Sequence, residues 1–376
     1  MRIKDAQFYT EEQLVSVAKR ENNQKRAYLV VNRLQGKHVP VHPKESLEMF
    51  DCLAEKLLQE YGKEKLLLIG FAETATAIGA AVAGRLSALY IQTTREQIKD
   101  VEYFYFNEQH SHATEQKLVK DDLDQAADWA ERIIFIEDEI TTGNTIWNII
   151  RLLEQEYPGR FHYSAASILN GMTEEYESLY RDRGIRLHWL VKTCHDDYSS
   201  WAAGYAEDGK YHLCDISVPA VRPEEYRIPG VQNARRLTKG KDYWEACEQM
   251  GREVLRQLPS VSGKKILVVG TEEFMYPALL LAHMLEEEGG QVWSHSTTRS
   301  PIAVSSDREY PLHERYELRS LYDSQRKTFL YDLSAYEDVL IVTDAAEKNE
   351  TGLYSLVNAL CLCGNENIRV VRWCED

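Results

Sequence analysis

Short apolar runs alternate with helical segments along most of this chain, and this alternation constrains the fold more than any other feature. The apolar runs are residues 66–70, 88–95, 132–138, 164–169 and 185–191. Segments with the spacing of a helix lie between them, such as ETATAIGAAVAGRL after the first run. Near-continuous apolar strands separated by helices are typical of a parallel sheet covered on both faces. The sequence therefore predicts an α/β fold.

The same alternation returns towards the C-terminus with matching signatures. Both copies have an apolar strand, a Gly and a Glu three residues later, and both carry a Thr-Thr-Arg after the next strand. The matched stretches are 65–86 with 265–285, 92–96 with 296–300, and 135–145 with 341–352. Three matches in one order predict an internal duplication. The alternative is that any two α/β halves share such a pattern of strand, turn and helix.

The length of the chain predicts two domains. At about 150 residues per domain, 376 residues accommodate two domains and a connection. Residues 204–247 are rich in charge, contain VPAVRP and IPG, and lack a long apolar run. We predict a first domain at 1–215, a connecting segment at 216–262 and a second α/β domain at 263–376, which would be a degenerate repeat of the first.

Composition excludes several classes of protein. The formal net charge of −16 argues against a nucleic-acid binder, which normally presents a basic face. No run of apolar residues is long enough to predict a membrane span, and the N-terminus lacks the apolar core of a signal peptide. The seven Cys form no C-x-x-C pair, so we expect reduced thiols and a cytoplasmic location.

The stretch IIFIEDEITTGNT, residues 133–145, places two acids at the end of a predicted strand and a Thr/Gly loop after them. The adjacent carboxylates of Glu137 and Asp138 suit a vicinal diol. The loop opens a helix, whose backbone N–H groups can surround a phosphate, and Gly143 permits a close backbone approach. A diol and a phosphate so placed describe a ribose 5-phosphate. The alternative is a strand with a solvated acidic end.

This stretch resembles the phosphoribosyl-pyrophosphate (PRPP) signature of type I phosphoribosyltransferases at every defining position. The resemblance implies a type I fold, in which a parallel sheet is flanked by helices. It implies that Glu137 and Asp138 bind the ribose hydroxyls of PRPP. The implied phosphate-binding residues are Thr141, Thr142, Gly143, Asn144 and Thr145.

The stretch GFAETATAIG, residues 70–79, is similar to the pyrophosphate loop of that family in its position and small residues. The resemblance implies Mg²⁺ as the cofactor that accompanies PRPP, because such ions bind phosphates with few protein ligands. Arg95 could pair with the pyrophosphate or equally form a surface ion pair. The implied pyrophosphate-binding residues are Glu73, Thr74, Ala75, Thr76 and Arg95.

The family inserts a mobile catalytic loop where this chain has His110-Ser111-His112. The resemblance implies that His110, His112 and Lys117 bring cationic donors to the departing pyrophosphate. A zinc site is the weaker alternative, since no third ligand accompanies the two His, and a solvated loop is another. We therefore expect no metal site made by protein side chains alone.

Three further stretches, at 32–43, 108–114 and 297–301, resemble one bacterial subfamily. It joins an orotate-type phosphoribosyltransferase to a C-terminal domain named for its Thr-Arg-Ser-Pro (TRSP) signature, and is associated with tellurium resistance and stress response. Its members are proposed to make a nucleoside-like metabolite. The second repeat has Thr343-Asp344 in place of the diol acids, so we do not expect it to bind PRPP. A second anion site is expected at Thr298, Arg299 and Ser300, with a purely structural role as the alternative.

The function implied is Mg-dependent transfer of ribose 5-phosphate from PRPP to a nucleobase-like nitrogen acceptor, with release of pyrophosphate. Thr141 stands where purine-base enzymes have an acid, which favours the orotate type but leaves the acceptor open. The alternative is a non-catalytic PRPP- or nucleotide-binding regulator. The expected partners are these small molecules, without nucleic acid or membrane, and a homodimer is left open.

Overall fold

The computed structural model describes residues 9–21, 26–106, 116–214, 217–345 and 349–375 of the chain. The helices are α1 Glu11–Leu14, α2 Pro43–Tyr61, α3 Thr76–Leu86, α4 Lys120–Ala127, α5 Asn144–Glu156, α6 Glu174–Asp182, α7 Tyr198–Gly204, α8 Gly240–Gln257, α9 Tyr276–Glu287 and α10 Glu350–Leu362. None of these helices combines the length and the apolar character that a membrane crossing requires.

The strands are, in chain order, β1 Val15–Lys19, β2 Tyr28–Asn32, β3 Leu66–Gly70, β4 Leu89–Gln92, β5 Tyr103–Phe106, β6 Gln116–Val119, β7 Arg132–Ile140, β8 His162–Asn170, β9 Arg186–Lys192, β10 Lys210–Leu213, β11 Glu224–Pro229, β12 Thr238–Lys239, β13 Lys265–Gly270, β14 Gln291–Ser296, β15 Glu314–Arg319, β16 Lys327–Tyr331, β17 Asp338–Thr343 and β18 Ile368–Cys374.

These elements group into two compact units that are not consecutive along the chain. The first unit comprises residues 1–10, 47–194 and 232–246, and the second comprises 11–46, 195–231 and 247–376. Each unit therefore includes a short segment that is separated along the chain from the rest of that unit by part of the other unit. The domain boundaries near 215 and 263 stay a prediction about the sequence domains.

The first unit is built on a six-stranded sheet in the order β12-β4-β3-β7-β8-β9. All its pairings are parallel except that of β12, which joins β4 antiparallel. The five parallel strands fall on the five predicted apolar runs, which confirms the α/β fold. An antiparallel hairpin, β5 with β6, lies between β4 and β7 in sequence.

Small residues let α3 pack tightly on this sheet. A Cβ added to Gly70 would lie 2.6 Å from the Tyr90 hydroxyl, and one added to Gly79 would lie 3.0 Å from the Gly70 Cα. The buried Tyr90 ring fills the remaining space, and its hydroxyl donates to the Thr76 carbonyl at 2.9 Å. This contact fixes the start of α3 against β4, beside the end of β3.

The second unit is built on a five-stranded sheet in the order β11-β18-β17-β13-β14. Its pairings are all parallel. The core beside it includes Leu267, Val339 and Ile341 of the sheet with Leu356 and Leu360 of α10. The antiparallel hairpin β15–β16 lies between β14 and β17 in sequence, as β5–β6 lies between β4 and β7.

The two sheets confirm that the second half is a repeat of the first. Reading β14-β13-β17-β18 against β4-β3-β7-β8 gives the same strand order and the same place for the hairpin. A backbone bond from Thr93 N to Gly70 O at 2.9 Å recurs from Thr297 N to Gly270 O at 3.0 Å. The two copies thus agree in topology and in local register.

Each sheet is extended at one edge by a segment that precedes a long helix. In the first unit, Thr238 pairs antiparallel with Tyr90 of β4, two residues before α8 begins. In the second unit, Val41 pairs antiparallel with Ser294 of β14, two residues before α2 begins. The segment that leads into each repeat therefore completes the sheet of the other unit.

Candidate active site

The carboxyl ends of β3, β4 and β7 meet at one edge of the first sheet. Gly70, the last residue of β3, lies beside Gln92 of β4 and Ile136 of β7. The chain after each strand emerges at this edge, which is where open α/β sheets bind ligands. The edge therefore gathers the loop after β3, residues 93–95 after β4 and the last residues of β7.

Glu137 and Asp138 lie within β7, whereas the sequence predicted that the strand ends with them. Pairing with β8 continues to Ile140 because β8 extends further than β3. Both acids are half-buried, and both lie past Ile136, the partner of the last β3 residue. Neighbouring strand residues point to opposite faces. Because β3 has ended before this level, the flank of β7 is open, and both carboxylates can reach a ligand bound there although they point to opposite faces.

The Thr/Gly loop is held in a conformation that requires glycine. Gly143 caps α5 with φ +68°, and its carbonyl accepts a hydrogen bond from the Tyr180 hydroxyl. A Cβ added there would lie 2.2 Å from that hydroxyl oxygen. Burial raises the pKa of Tyr180, and Arg183 lowers it less than burial raises it, so the phenol stays a donor. Thr142 Oγ1 accepts from Asn144 N at 3.3 Å.

Gly143→Ala should lower the free energy of unfolding by about 2–4 kcal/mol, because a positive φ and an overlap with Tyr180 both oppose the methyl group. Gly159→Ala is the matched control, since Gly159 has φ +65° but nothing within 4 Å of an added Cβ. Chemical denaturation of both variants measures the difference. Equal losses would show that the contact with Tyr180 does not restrict this loop.

The loop after β3 is short, and backbone bonds define it. Ala75 N donates to Phe71 O at 3.0 Å, Thr76 Oγ1 donates to Glu73 O at 3.1 Å, and the Ala72–Glu73 peptide bond is cis. Glu73 and Thr74 are half-buried, whereas Ala75 and Thr76 are buried. The loop therefore exposes part of its first half at the same sheet edge as Glu137 and Asp138.

Residues after β4 connect this loop to the hairpin. Ala72 N donates to Thr93 Oγ1 at 2.8 Å, and Thr93 Oγ1 donates to Gln116 Oε1 of β6 at 2.8 Å. The next residue, Thr94, exchanges two backbone bonds with Lys117 at 2.9 and 3.0 Å. Arg95 follows directly and is half-buried. The structure thus brings Arg95 to the edge where the predicted pyrophosphate loop lies.

Lys117 belongs to strand β6 rather than to a loop. It is 7% exposed, its ammonium group donates to Gln97 Oε1 at 2.7 Å, and the same group lies 4.7 Å from the centre of the Tyr103 ring. The sequence placed it in a mobile loop because nothing marks the short β6 as a strand.

His110 and His112 lie outside the described residues. Among the described residues, no group of three or more His, Cys, Asp or Glu could hold a metal ion.

The predicted anion-site residues of the second repeat lie at the matching edge of the second sheet. Thr298 pairs with Phe329 by two backbone bonds, as Thr94 does with Lys117. Thr298 Oγ1 accepts from Ser300 N at 3.2 Å. Arg299 Nε donates to the Glu272 carboxylate at 2.7 Å. A carboxylate of the chain itself therefore contacts the predicted anion-binding Arg.

The sequence did not reveal three residues of the cluster around Arg299, which we call the second cluster: Glu272, Arg326 and Lys37. Glu272 was passed over because only the Glu three residues after each Gly was matched, although TEE differs from FAE at that position. Arg326 lies in the hairpin turn before β16, with Nη2 3.1 Å from the Glu272 carboxylate. Lys37 comes from a distant segment, and its ammonium group donates to Glu272 O and Thr297 O at 2.9 and 2.8 Å. No local pattern in the sequence marks Lys37.

Two strand acids, a Thr-Thr-Gly turn into a helix and a short loop beside Thr-Thr-Arg thus lie at one edge of a parallel sheet. Residues 14–194 match the family described as "Phosphoribosyl transferase", and residues 234–360 match "TRSP domain C terminus to PRTase_2". The chain therefore carries a phosphoribosyltransferase domain followed by a TRSP domain.

Solved phosphoribosyltransferases show distant similarity to part of the chain. Adenine phosphoribosyltransferase from Rhodothermus marinus is 17% identical over 48% of this chain and 96% of its own, with a TM-score of 0.35. Orotate phosphoribosyltransferase from Aeropyrum pernix is 18% identical over 51% and 93%, with a TM-score of 0.32. A search of curated protein sequences gave no match. Similarity at this level says nothing about the acceptor.

Proposed function

We propose that this phosphoribosyltransferase transfers ribose 5-phosphate from PRPP to a nucleobase-like nitrogen acceptor and releases pyrophosphate. The observation that carries the proposal is the position of Glu137 and Asp138. They lie past the end of β3, on the strand that leads directly into the Gly143 turn and α5. The two carboxylates suit a diol, and the Gly143 turn at the start of α5 suits a phosphate.

Three parts of the site have separate roles in the proposal. Glu137 and Asp138 accept hydrogen bonds from the ribose hydroxyls. The 5-phosphate lies on the turn and the first residues of α5, where the helix dipole favours an anion. The pyrophosphate lies between the loop after β3 and Arg95, whose planar group can donate two parallel bonds. The phosphate set comprises Thr141, Thr142, Gly143, Asn144 and Thr145, and the pyrophosphate set comprises Glu73, Thr74, Ala75, Thr76 and Arg95.

The donor set at this edge fits Mg²⁺ brought in by PRPP. Its carboxylates are hard oxygen ligands, and Mg²⁺ in phosphate sites normally takes one or two of them together with substrate oxygens. When bound, the ion would neutralise charge on the pyrophosphate. Glu137 and Asp138 would hold it through the ribose hydroxyls or directly, and Arg95 would complement the same charge.

The segment that contains His110 and His112 supplies the proposed donors to the leaving pyrophosphate. Lys117 contributes differently, because its ammonium group is held by Gln97 and Tyr103. We assign it a positioning role near the loop end of the hairpin, where its backbone pairs with Thr94.

Replacing His110 or His112 with Ala should lower single-turnover rates far more than PRPP affinity. The reason is that charge develops on the leaving group only towards the transition state, and removing one such donor typically costs about a hundredfold or more in rate. His162→Ala is the control, because His162 is an exposed residue at the amino end of β8. A loss of affinity at normal turnover would contradict the catalytic role.

A pyrophosphate-release assay tests the proposed reaction. PRPP and Mg²⁺ are supplied with a panel of nucleobases and amines, and orotate-like acceptors are included because Thr141 replaces the acid of the purine-base pattern. Release with one acceptor class identifies the substrate. Tight PRPP binding without release from any acceptor would favour the regulatory alternative instead.

The cellular role is proposed on narrower grounds. All seven cysteines are free thiols, which favours a reducing compartment such as the cytoplasm. The likeness to the tellurium-associated subfamily supports a nucleoside-like product made in stress or tellurite response. Cells that carry the Glu137→Ala, Asp138→Ala variant should then be as tellurite-sensitive as cells without the protein. Full resistance in such cells would separate the reaction from that role.

A further inference from the structure

The loops after β3 and β13 have the same length and share one anchoring hydrogen bond. Each runs from the strand-end glycine to the first helical residue in the same number of steps, from Gly70 to Thr76 and from Gly270 to Tyr276. Ala72 N donates to Thr93 Oγ1 at 2.8 Å, and Glu272 N donates to Thr297 Oγ1 at 3.0 Å. Glu272 therefore occupies the position that Ala72 occupies in the first repeat.

The side chain at this position differs in a way that changes the site. Ala72 ends at Cβ, whereas the Glu272 carboxylate extends into the cluster and is 1% exposed. Its oxygens accept from Arg299 Nε at 2.7 Å and from the Ser320 hydroxyl, and lie 3.1 Å from Arg326 Nη2. Two guanidinium groups and a hydroxyl thus surround the Glu272 carboxylate, as they would surround a bound anion. A second buried carboxylate, that of Glu273, lies 3.6 Å from Arg299 Nη2.

The backbone of Glu272 is held in an unfavourable conformation. Its φ is +51°, which is uncommon for a residue with a side chain of this size. Lys37 fixes the turn, because its ammonium group donates to Glu272 O and Thr297 O. Apolar side chains often stabilise a core as well as buried ion pairs do. Stability alone therefore does not account for this strained, charged turn.

We propose that the Glu272 carboxylate is a built-in ligand of the second repeat, held by Arg299 and Arg326 where an anion of the phosphate class would otherwise bind. The predicted anion site at Arg299 is then a true site that the chain fills itself. The comparison with Ala72, which places no carboxylate at this position, rests on the proposed pyrophosphate site of the first repeat.

Glu272→Gly in the full-length chain tests the proposal. Glycine removes the carboxylate and adopts a positive φ readily, so the variant vacates the site without adding backbone strain. Inorganic phosphate is the probe. At about 50 mM phosphate, compared with chloride at equal ionic strength, the Tm of the variant should rise by roughly 5 °C more than that of the wild type. Adding Arg326→Gln should abolish this extra rise.

Asp338→Ala is the matched control. Asp338 is a buried carboxylate between Lys264 at 2.8 Å and Arg369 at 2.6 Å, at the amino end of β17. Asp338→Ala also leaves two cations without their carboxylate, but these cations do not lie beside a loop like that of Glu272. We therefore expect phosphate to raise the Tm of this variant no more than that of the wild type. An equal response would mean that phosphate fills any vacated ion pair, and would overturn the proposal. So would a folded Glu272→Gly chain with no extra response.

Two further measurements keep the outcome decisive. If Glu272→Gly does not fold in chloride, its refolding yield should be restored by phosphate, and failure to restore it counts against the proposal. Glu272→Gln should be clearly less stable than the wild type, because an uncharged amide cannot satisfy two guanidinium groups. Equal stability would also overturn the proposal. PRPP binding by Glu272→Gly reports on the first repeat alone and separates this result from the proposed reaction.

Discussion

Replacing Glu137 and Asp138 together with alanine should abolish detectable binding of Mg·PRPP in calorimetry. Each carboxylate is expected to accept charge-assisted hydrogen bonds worth about 1.5–3 kcal/mol. Losing both therefore weakens binding by roughly two to four powers of ten. The fold should persist, because both side chains are half-buried at the end of a sheet whose interior pairs are unchanged.

The control removes the same charge elsewhere. Glu287 and Glu288 are adjacent exposed acids at the end of α9, so Glu287→Ala, Glu288→Ala changes the net charge equally. This variant should bind Mg·PRPP as the wild type does. Undiminished binding by the Glu137/Asp138 variant, with its fold verified by circular dichroism, would end the PRPP assignment at this edge.

A chain that ends at Cys214 should fail to fold and should show no transferase activity. It lacks β12, so the edge of β4 loses its antiparallel partner. It also lacks Arg236, which donates to both oxygens of the buried Asp122 at 2.6 and 2.8 Å. Because Arg236 is itself 42% exposed, losing its hydrogen bonds to the buried carboxylate costs about 1.5–3 kcal/mol, still a sizeable part of the 5–15 kcal/mol that typically separates folded from unfolded states.

Two comparisons locate the cause of that loss. A chain extended to Leu258 regains β12, Arg236 and α8, and its yield of soluble protein should exceed that of the shorter chain. In the full-length protein, Arg236→Ala should lower the unfolding free energy by about 1.5–3 kcal/mol, measured by urea denaturation. A soluble, fully active chain ending at Cys214 would contradict the role of this segment.

The sequence predicted the sheets well because each central strand carries its own signal. The runs at 66–70 and 132–138 are apolar on both faces, as strands between two layers of helices must be. Their carboxyl ends then place the loop after β3 beside Glu137 and Asp138 without further information. The end of β7 was placed two residues early, because its continuation depends on the length of its neighbour β8.

The edge segments and the second cluster could not be predicted from local patterns in the sequence. β12 spans only Thr238–Lys239, and such a short piece has no periodicity to detect. Its partner in β4 lies far away in the chain, as Lys37 lies far from Glu272. Interactions of this kind depend on tertiary structure, and local sequence patterns do not reveal which distant residues meet.

The exchange of edge segments also sets an order of events during synthesis. The first unit includes residues 232–246, so it cannot be completed when residue 194 leaves the ribosome. At about 5–20 residues per second, its β4 edge stays open for roughly 3–10 s longer. The second unit has the opposite requirement, because residues 11–46 are made first and wait for β14. A pause between the two repeats would therefore leave the β4 edge of the first unit exposed, and an exposed strand edge is a template for aggregation.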